Sequence, residues 1–599
     1  MGEIRHRIAA GFSASSLVLA VFALIFIWYS NSFFTRKRKK EIGLYSLLGI
    51  KKRQIGRLLF YENIIMGIAA LIIGILLGSL LSKLFVMLLV RLMEFAVPVQ
   101  LSIIPEAIYS TLKVFAVLFT LTSIHGYLII YRFKLADLFK AEKKAEKEPG
   151  ASVIKAVLSV LLILGGYVFY TYSKVNFLYL LLITLISVVV GTFLLFSSLS
   201  VFLIKMARRN KKKYYKGTNM ISVSNLLHRI KGHARTLALI AVLSATTLTA
   251  MSVTASVYYY FKTTLDYVAP FSYSYLTTNQ GLTEDLEGEV REIISRNPSH
   301  QLEDMLEFSV LRIEADMPTG VHGEYSTHRT FLMRESTYNM IADLRGIERV
   351  SLDYDRQCFL IDEYYNEVFR ESYQGKTIKI HNQSADFNLE VKDFTEKPIV
   401  NLGILYRTII IKDRLYNQLY TEKSTTGGVA FDVTNERNSK ELTDQLSALF
   451  KERTAENGTW QIWYQTYYNY YQVGVTQFGQ SIFIGAFLGL VFLISTGSII
   501  FFKLLSEASE EGLKYKTLKN IGVSCREIRT LLKKQILFFF AAPLLIGIMH
   551  SLVAVSILER LLSLDLTIPV IVTIVCYAGI YMAYYFFTVN SYIKNINLK

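Results

Sequence analysis

Nine blocks of apolar residues constrain the fold of this chain more than any other feature of its sequence. Most are about 20 residues or longer, which is the length that a helix needs to cross a bilayer core of about 30 Å. Water is absent from that core, so each block must bond its own backbone groups by forming a helix. The predicted spans are residues 9–34, 58–92, 107–131, 153–172, 177–204, 235–261, 478–503, 532–556 and 566–588.

The composition also favours a membrane protein. Of 599 residues, 52% are hydrophobic and 19% are charged, whereas soluble domains carry about 25% charged residues. The three cysteines, Cys358, Cys525 and Cys576, have neither a plausible partner nor a zinc-ligand spacing. The sequence therefore predicts no disulfide framework and no metal site.

Basic loops predict the orientation of the chain, because short loops rich in Lys and Arg stay in the cytoplasm. The basic loops are 36–40, 132–147, 205–235 and 503–534, and the loops that alternate with them, 93–106, 173–176 and 557–565, are poor in Lys and Arg. This pattern predicts a cytoplasmic C-terminus, an extracellular 262–477 segment and an extracellular Met1. Since a bare N-terminus outside is unusual, we expect that one further helix precedes Met1; the alternative is a true N-out protein.

The segment between the sixth and seventh predicted spans has the opposite charge to the rest of the chain. Residues 263–476 hold 21 Lys and Arg against 33 Asp and Glu, a net charge of −12, and the remainder has a net charge of +29. The positive-inside rule explains the basic part, so we predict no nucleic-acid partner. An acidic exterior domain would attract cationic ligands.

Periodicity within that acidic segment predicts a mixed α/β domain. Alternating stretches at 376–380 and 406–411 are typical of strands, and the segments 283–296 and 437–452 have helical periodicity. Aromatic residues end the domain and predict a belt at the outer membrane interface. They are Trp460, Trp463, Tyr464, Tyr467, Tyr468, Tyr470 and Tyr471, with Tyr258, Tyr259 and Tyr260 at the other end; the alternative is a surface that binds an aromatic or lipid ligand.

Two predicted cytoplasmic segments repeat one pattern. Residues 41–55 and 514–528 each follow a spanning helix, and they align on Gly49 and Gly522. Each predicts a short amphipathic helix, a glycine that turns the chain sharply, and a second helical start. Such a corner can press on a partner; the alternative is a simple interfacial anchor. The residues predicted to couple to a partner are Glu41, Tyr45, Leu48, Gly49, Ile55, Leu518, Ile521, Gly522 and Ile528.

Ionisable residues inside spans are expensive and define a possible intramembrane polar site. Lys83, His125 and His550 are the deepest. Lys83 can instead extend to the outer surface, and His550 can hydrogen-bond a neighbouring span or a lipid pyrophosphate. The histidines form no catalytic constellation, and the nearest approach to a phosphate-binding loop, at Gly375, has Arg370 in place of its first glycine. We therefore expect no enzyme activity and no directly bound cofactor.

The segment 38–49 resembles the motif that follows a spanning helix in FtsX-like ABC transporter permeases, and the layout resembles the Bce-type permeases of bacitracin and lantibiotic resistance. Residues 489–503 with Glu507, Glu510 and Glu511 are similar to the eighth span of that group, and Pro543 with 547–551 to its ninth. The resemblance implies ten spans where this chain shows nine. It divides the chain into a first three-span unit (1–135), three central spans (136–262), the extracellular α/β domain (263–477) and a second three-span unit (478–599).

The resemblance also implies a function and partners. These permeases work in the bacterial cell membrane with two copies of an ABC ATPase, which binds the ATP. They act against cationic cell-wall-targeting peptides by removing them from lipid-linked wall precursors, and many report to a histidine kinase. The alternatives are an FtsX-like activator of extracellular cell-wall hydrolases and a signalling membrane protein with little transport.

Overall fold

The computed structural model describes residues 2–95, 98–100, 102–132, 152–172, 177–215, 219–277, 280–318, 325–365, 371–381, 386–420, 425–455, 462–562 and 565–596. The chain forms two compact units. The helical unit comprises Met1–Ser256, Gly479–Leu558 and Leu566–Lys599, and the sheet unit comprises Val257–Phe478 and Glu559–Asp565. Parts of two predicted loops, 133–147 and 173–176, lie outside the described residues.

The helices account for most of the described chain. In chain order they are α1 (Gly2–Lys37), α2 (Lys39–Leu47), α3 (Lys52–Leu92), α4 (Pro105–Arg132), α5 (Val153–Tyr172), α6 (Phe177–Leu194), α7 (Ser200–Arg209), α8 (Lys211–Tyr214), α9 (Asn219–Val268), α10 (Gln280–Ser295), α11 (Glu335–Arg345), α12 (Asp413–Leu419), α13 (Lys440–Ala455), α14 (Tyr467–Asn520), α15 (Cys525–Leu562) and α16 (Thr567–Ile596). A π-helical turn, Leu195–Leu199, joins α6 to α7.

Eight helices in the described part of the chain are long and apolar enough to cross a membrane, and Val153–Phe169 is a shorter apolar helix. This confirms the predicted helical membrane fold. The helices extend beyond the predicted spans: α3 begins at Lys52, and α14 ends at Asn520, 17 residues after the predicted end at 503. Helical hydrogen bonding continues past the apolar stretch, and hydropathy locates only the apolar part.

Helix α9 contributes much of the core of the helical unit. Its residues Ile230, Ala238 and Ala241 have no exposed surface, and they share one apolar cluster with Ile528 and Ile536 of α15. A Cβ atom added to Gly547 would lie 2.9 Å from Cβ of Ser244 and 3.2 Å from the backbone N of Ala245. The glycine therefore allows α15 to approach α9 closely, as small residues do between membrane helices.

Nine strands form the sheet of the other unit, in the order β3-β7-β4-β6-β5-β2-β8-β1-β9. They are β1 (Tyr273–Thr277), β2 (Leu302–Met317), β3 (Ser326–Arg334), β4 (Gln357–Asp362), β5 (Thr377–His381), β6 (Phe387–Thr395), β7 (Arg407–Ile411), β8 (Thr425–Val433) and β9 (Ile462–Thr466). The β3–β7 and β4–β6 pairs are parallel, and the other pairs are antiparallel.

The long strand β2 divides its pairing between two halves of the sheet. Its residues from Leu302 to Leu311 pair with β8, and those from Leu311 to Met317 pair with β3. Because β2 also pairs with β5, the strands β3, β7, β4, β6, β5 and β2 close into a barrel. Cys358 and Leu360 are buried in one apolar cluster with Tyr416 of α12, and helices α10 and α13 cover β1 and β8. The mixed α/β prediction for this segment is confirmed.

The predicted interfacial aromatic belt is wrong for Tyr467, which is buried, and stays a prediction for its other members. Trp463 and Tyr464 lie in strand β9, where Tyr464 packs on Phe450, and Tyr467 is 2% exposed beside Leu265 and Ala269. Aromatic residues favour strands as well as membrane interfaces, and their sequence position near a span could not separate these two roles. Trp460 lies outside the described residues.

A buried carboxyl group in the sheet unit makes its stability depend on pH. One side-chain oxygen of Glu363 accepts a hydrogen bond of 2.8 Å from the backbone N–H of Gly403, and the other has no hydrogen-bond partner among the residues that the structure describes. Burial raises the pKa of Glu363 to about 7. The folded state therefore binds this proton more tightly than the unfolded chain, so its contribution to stability is present below pH 4.5 and is lost as the pH rises through 7.

We therefore predict that Glu363→Gln stabilises the sheet unit at pH 8 by about 1–3 kcal/mol and has little effect at pH 4.5, because the amide mimics the neutral acid. Urea unfolding of the full-length protein in detergent, followed by tryptophan fluorescence, measures this difference. The exposed Glu348→Gln is the matched control. Equal stability of wild type and Glu363→Gln at both pH values would contradict the assignment.

Candidate functional site

The first corner lies between α2 and α3. Gly49 has a φ of +84°, and the chain reverses there through two backbone hydrogen bonds, from Ile50 N to Tyr45 O (3.1 Å) and from Gly49 N to Ser46 O (3.3 Å). This is the Schellman arrangement of a helix end, which requires a left-handed residue. The next helix begins with a side-chain cap, in which Gln54 accepts a 3.2 Å bond from the backbone N–H of Lys51.

The second corner, between α14 and α15, has the same backbone. Gly522 has a φ of +97°, and Val523 N donates to Leu518 O at 3.1 Å, as Gly522 N does to Lys519 O. Here the following helix begins with a reciprocal capping box: Glu527 accepts from Ser524 N at 3.0 Å, and Glu527 N donates to Ser524 Oγ at 3.3 Å.

The side chains of the two corners match position by position. The pair Ile55 and Ile528, aligned from the two glycines, is buried at 1% and 0% exposure. The pair Ile42 and Tyr515 is buried as well, at 3% and 2%. Both corners therefore keep the same faces turned inward, and the repeat in the sequence is a repeat in the structure.

Each corner exposes one apolar side chain directly before its glycine. Leu48 and Ile521 are both 71% exposed. An exposed apolar side chain on its own needs no explanation, but here it recurs at equivalent positions of a repeat. The first corner adds an apolar ridge, since Leu44, Leu47 and Ile50 are also exposed. The second corner has Thr517 and Asn520 in place of Leu44 and Leu47.

The remaining predicted coupling residues support the corners. Tyr45 packs on the small cluster of Ile42, Ile55 and Leu59, and Leu518 packs against the main core of the helical unit. Glu41 is 55% exposed and bonds Arg38 at 2.7 Å. Of the nine predicted residues, Leu48 and Ile521 thus present the apolar surface, and the others form or hold the turn.

A salt bridge braces the first corner. Arg38 donates to both carboxylate oxygens of Glu62, at 2.6 and 2.7 Å, and to Glu41. These hydrogen bonds, the one to Glu62 above all, raise the pKa of Arg38. Since Arg38 precedes α2 and Glu62 lies in α3, the pair links the two arms of the corner.

A buried polar cluster around Arg229 lies beside the second corner, and it was not predicted from the sequence. Arg229 is 8% exposed and donates to Glu507 at 2.7 Å and to Gln535 at 3.0 Å. These partners lie 278 and 306 residues away in sequence. The only sequence signals were a basic residue ahead of the sixth predicted span and acidic residues after the seventh, and neither signal identifies a partner.

The three predicted intramembrane ionisable residues do not form one cluster. His550 contacts the hydroxyl of Tyr167 through Nδ1 and that of Thr192 through Nε2, at 2.8 Å for the latter. The ring of His125 packs on Trp28, with 4.5 Å between centroids. Lys83 is exposed and lies 16 residues beyond Gly67, which packs on Phe119 of α4, so it is about 24 Å farther along α3. His550 of α15 thus contacts side chains of both α5 and α6.

Neither a metal site nor a phosphate loop emerges from the described residues. They contain no group of three or more His, Cys, Asp or Glu side chains placed to hold a metal ion. Gly375 has a φ of +74° in the turn that leads into β5, where Lys376 N donates to Tyr373 O. Arg370 lies outside the described residues.

Comparison with known proteins identifies relatives over the whole length of the chain. Residues 13–135, which contain the first corner, match the family described as FtsX-like permease C-terminal. The chain is 28% identical to the uncharacterised ABC transporter permease YvcS of Bacillus subtilis, over 97% of this chain and 90% of the relative. It is 25% identical to the bacitracin export permease protein BceB of the same organism, over 100% of this chain and 93% of the relative.

A bacitracin export permease protein BceB of Halalkalibacterium halodurans is also similar, at 24% identity over 100% of this chain and 93% of the relative. The apolar helices and these relatives support a multi-pass membrane protein, and the relatives themselves are permeases. Residues 13–135 are thus similar to FtsX-like permeases, and the full-length relatives, at 24–28% identity, are ABC transporter permeases that include bacitracin export permeases.

Proposed function

We propose that this chain is the permease subunit of an ATP-driven ABC transporter that protects a bacterium against bacitracin-like, cell-wall-targeting peptides. The observation that carries the proposal is the pair of matching corners, each with one exposed apolar side chain, Leu48 or Ile521. The full-length similarity to bacitracin export permeases supports the same function. ATP is bound by a partner ATPase.

The corners fit a partner that is present in two copies. Two equivalent surfaces on one chain can each receive the same groove of two identical ATPase subunits. Burying a leucine or isoleucine side chain contributes about 1.5–3 kcal/mol. The ridge of Leu44, Leu47 and Leu48 makes the first corner the stronger contact.

The corners also fit a mechanical role. Each glycine joins two helices, and each corner is held by buried Ile55 or Ile528. Closure of the ATPase pair on ATP would therefore push α2 against α3 and α14 against α15 as rigid arms. We assign the corners to the cytoplasm, in line with the basic loops that adjoin them.

The opposite face of the membrane is the proposed side of peptide capture. The sheet unit coincides with the acidic segment of net charge −12. On the outside of the cell it would concentrate cationic peptides near the membrane, more strongly at low salt. A lipid-linked wall precursor is the proposed source from which the peptide is removed, and a histidine kinase is a proposed second partner.

Co-purification tests the proposed function. The full-length chain is co-expressed with the ABC ATPase encoded beside it, purified in detergent, and assayed for ATP hydrolysis with and without bacitracin. A stable complex with two ATPase copies and peptide-stimulated hydrolysis supports the proposal. A chain that binds no ATPase contradicts it.

We predict that Leu48→Ser and Ile521→Ser each weaken ATPase binding by about tenfold, since each removes an apolar contact of about 1.5 kcal/mol or more. The double variant is expected to lose the complex. Ile347→Ser, which removes a 38% exposed isoleucine from the sheet unit, is the matched control. Equal ATPase recovery from the double variant and this control would rule out the corners as the docking surface.

We also predict that Gly49→Pro and Gly522→Pro abolish bacitracin resistance, because proline fixes φ near −65° whereas these residues have φ values of +84° and +97°. The alanine variants should cost about 1 kcal/mol of local stability and reduce resistance only in part. Bacitracin susceptibility of cells with equal amounts of membrane-inserted protein measures the effect. Gly512→Ala is the control, since Gly512 is helical with open space around it; normal resistance in both proline variants would refute a coupling role.

A further inference from the structure

Arg229 joins helix α9 to both arms of the second corner. Its guanidinium donates to Glu507 of α14 at 2.7 Å and to Gln535 of α15 at 3.0 Å, and it lies 3.6 Å from Glu511 of α14. The side chain of Arg229 is 7% exposed, and those of Glu507 and Glu511 are 14% exposed. Charge-assisted bonds that are shielded from water in this way are stronger and less screened than surface pairs.

Neighbouring groups close the cluster around these bonds. His233 of α9 lies 2.5 Å from Glu507, and Lys503 lies 3.4 Å from it. Tyr592 of α16 donates to Glu511 at 3.3 Å. Four helices, α9, α14, α15 and α16, therefore meet in one polar cluster inside an apolar core.

The repeat shows what is unusual about this cluster. Aligned on the two corner glycines, Arg38 corresponds to Glu511, and Glu62 corresponds to Gln535. In the first repeat these two positions form the salt bridge that braces the corner. In the second repeat they hold an acid and an amide, which cannot form an ion pair with each other. Arg229, from outside the repeat, supplies the buried cation between these two positions, whereas Lys514 of α14, 3.7 Å from Glu511, is largely exposed.

A second pair of aligned positions also differs in polarity between the two corners. Ile42 and Tyr515 are both buried, but only the tyrosine carries a polar group. Its hydroxyl donates toward Glu511 at 3.3 Å and toward Gln535 at 3.4 Å. The buried side of the second corner is thus part of the polar cluster, whereas the equivalent side of the first corner is an apolar contact with Ile55 and Leu59.

We propose that Arg229 is the residue through which movement of the second corner is passed to α9, so that the two corners do different work. The first corner is braced within its own repeat by Arg38 and Glu62, and it serves mainly to hold the ATPase through its apolar ridge. The second corner has one exposed apolar side chain and a buried link to α9. It passes the movement that ATPase closure causes on to α9. That movement runs from the second corner to α9 rests on the proposed function. The contact of Arg229 with both arms of the second corner does not.

A closed-repeat variant separates the link from the stability of the corner. The substitutions Arg229→Gln, His233→Leu, Glu511→Arg and Gln535→Glu together give the second repeat the ion pair of the first and remove both α9 side chains that contact Glu507. Glu507 keeps Lys503 as a partner. The matched control is Arg38→Glu with Glu62→Arg, which reverses the pair that joins these two positions and gives up only the exposed bond of Arg38 to Glu41.

Hydrogen–deuterium exchange of the full-length chain alone, in lipid nanodiscs, tests the link without any ATPase. In Arg229→Gln we expect exchange to rise by about tenfold or more in residues 219–232 and in residues 514–528. In the closed-repeat variant we expect residues 514–528 to return to wild-type protection while residues 219–232 stay fast. Wild-type exchange of residues 219–232 in both variants would overturn the proposal.

The complex with the ATPase tests the transmission. We expect the closed-repeat variant to bind the ATPase and keep basal hydrolysis, but to lose stimulation by bacitracin, whereas the charge-reversed control keeps that stimulation. Full stimulation in the closed-repeat variant would overturn the transmission role even if the exchange result is as expected. If the wild-type chain binds no ATPase, the proposed function fails, and the exchange experiment still decides the link.

Discussion

The left-handed backbone at Gly49 and Gly522 is the constraint on which both corners depend. A residue with a side chain is strained at φ near +90°, so the direct connection of two helices with the observed hydrogen bonds needs glycine at these positions. The turn brings the last exposed apolar residue of one helix to the apex and directs the buried isoleucine of the next helix inward. Surface for a partner and attachment to the core are thus produced by one short segment.

The two repeats show how the same backbone can be given different connections. Arg38 and Glu62 brace the first corner within itself. At the aligned positions of the second corner, Glu511 and Gln535 depend on Arg229 of α9. Buried ion pairs are often no more stabilising than apolar packing, but breaking one partner is costly, so their geometry is strongly enforced. A buried ion pair between two helices therefore couples the movement of one helix to the other more than it adds to folding stability.

The sequence predicts those features that depend on local pattern. The spans follow from the length of apolar blocks, and the corners follow from a glycine between amphipathic segments, which the structure shows at Gly49 and Gly522. Features that depend on pairing across the chain could not be predicted. The partners of Arg229 are distant in sequence, and the closed barrel requires β2 to pair with β3 and β5. Tyr467 was assigned to the membrane interface, but the structure buries it beside Leu265 and Ala269, because an aromatic side chain suits either place.

We propose that an ABC ATPase binds this chain at its two corners. Site-specific photo-crosslinking tests this, with a photoreactive amino acid placed at residue 48, at residue 521 or, for reference, at residue 347 of the sheet unit. In membranes that contain the ABC ATPase encoded beside this chain, we expect covalent adducts with the ATPase from residues 48 and 521 and none from residue 347. Absence of an ATPase adduct from both corners, in membranes where peptide-stimulated hydrolysis is intact, would contradict it.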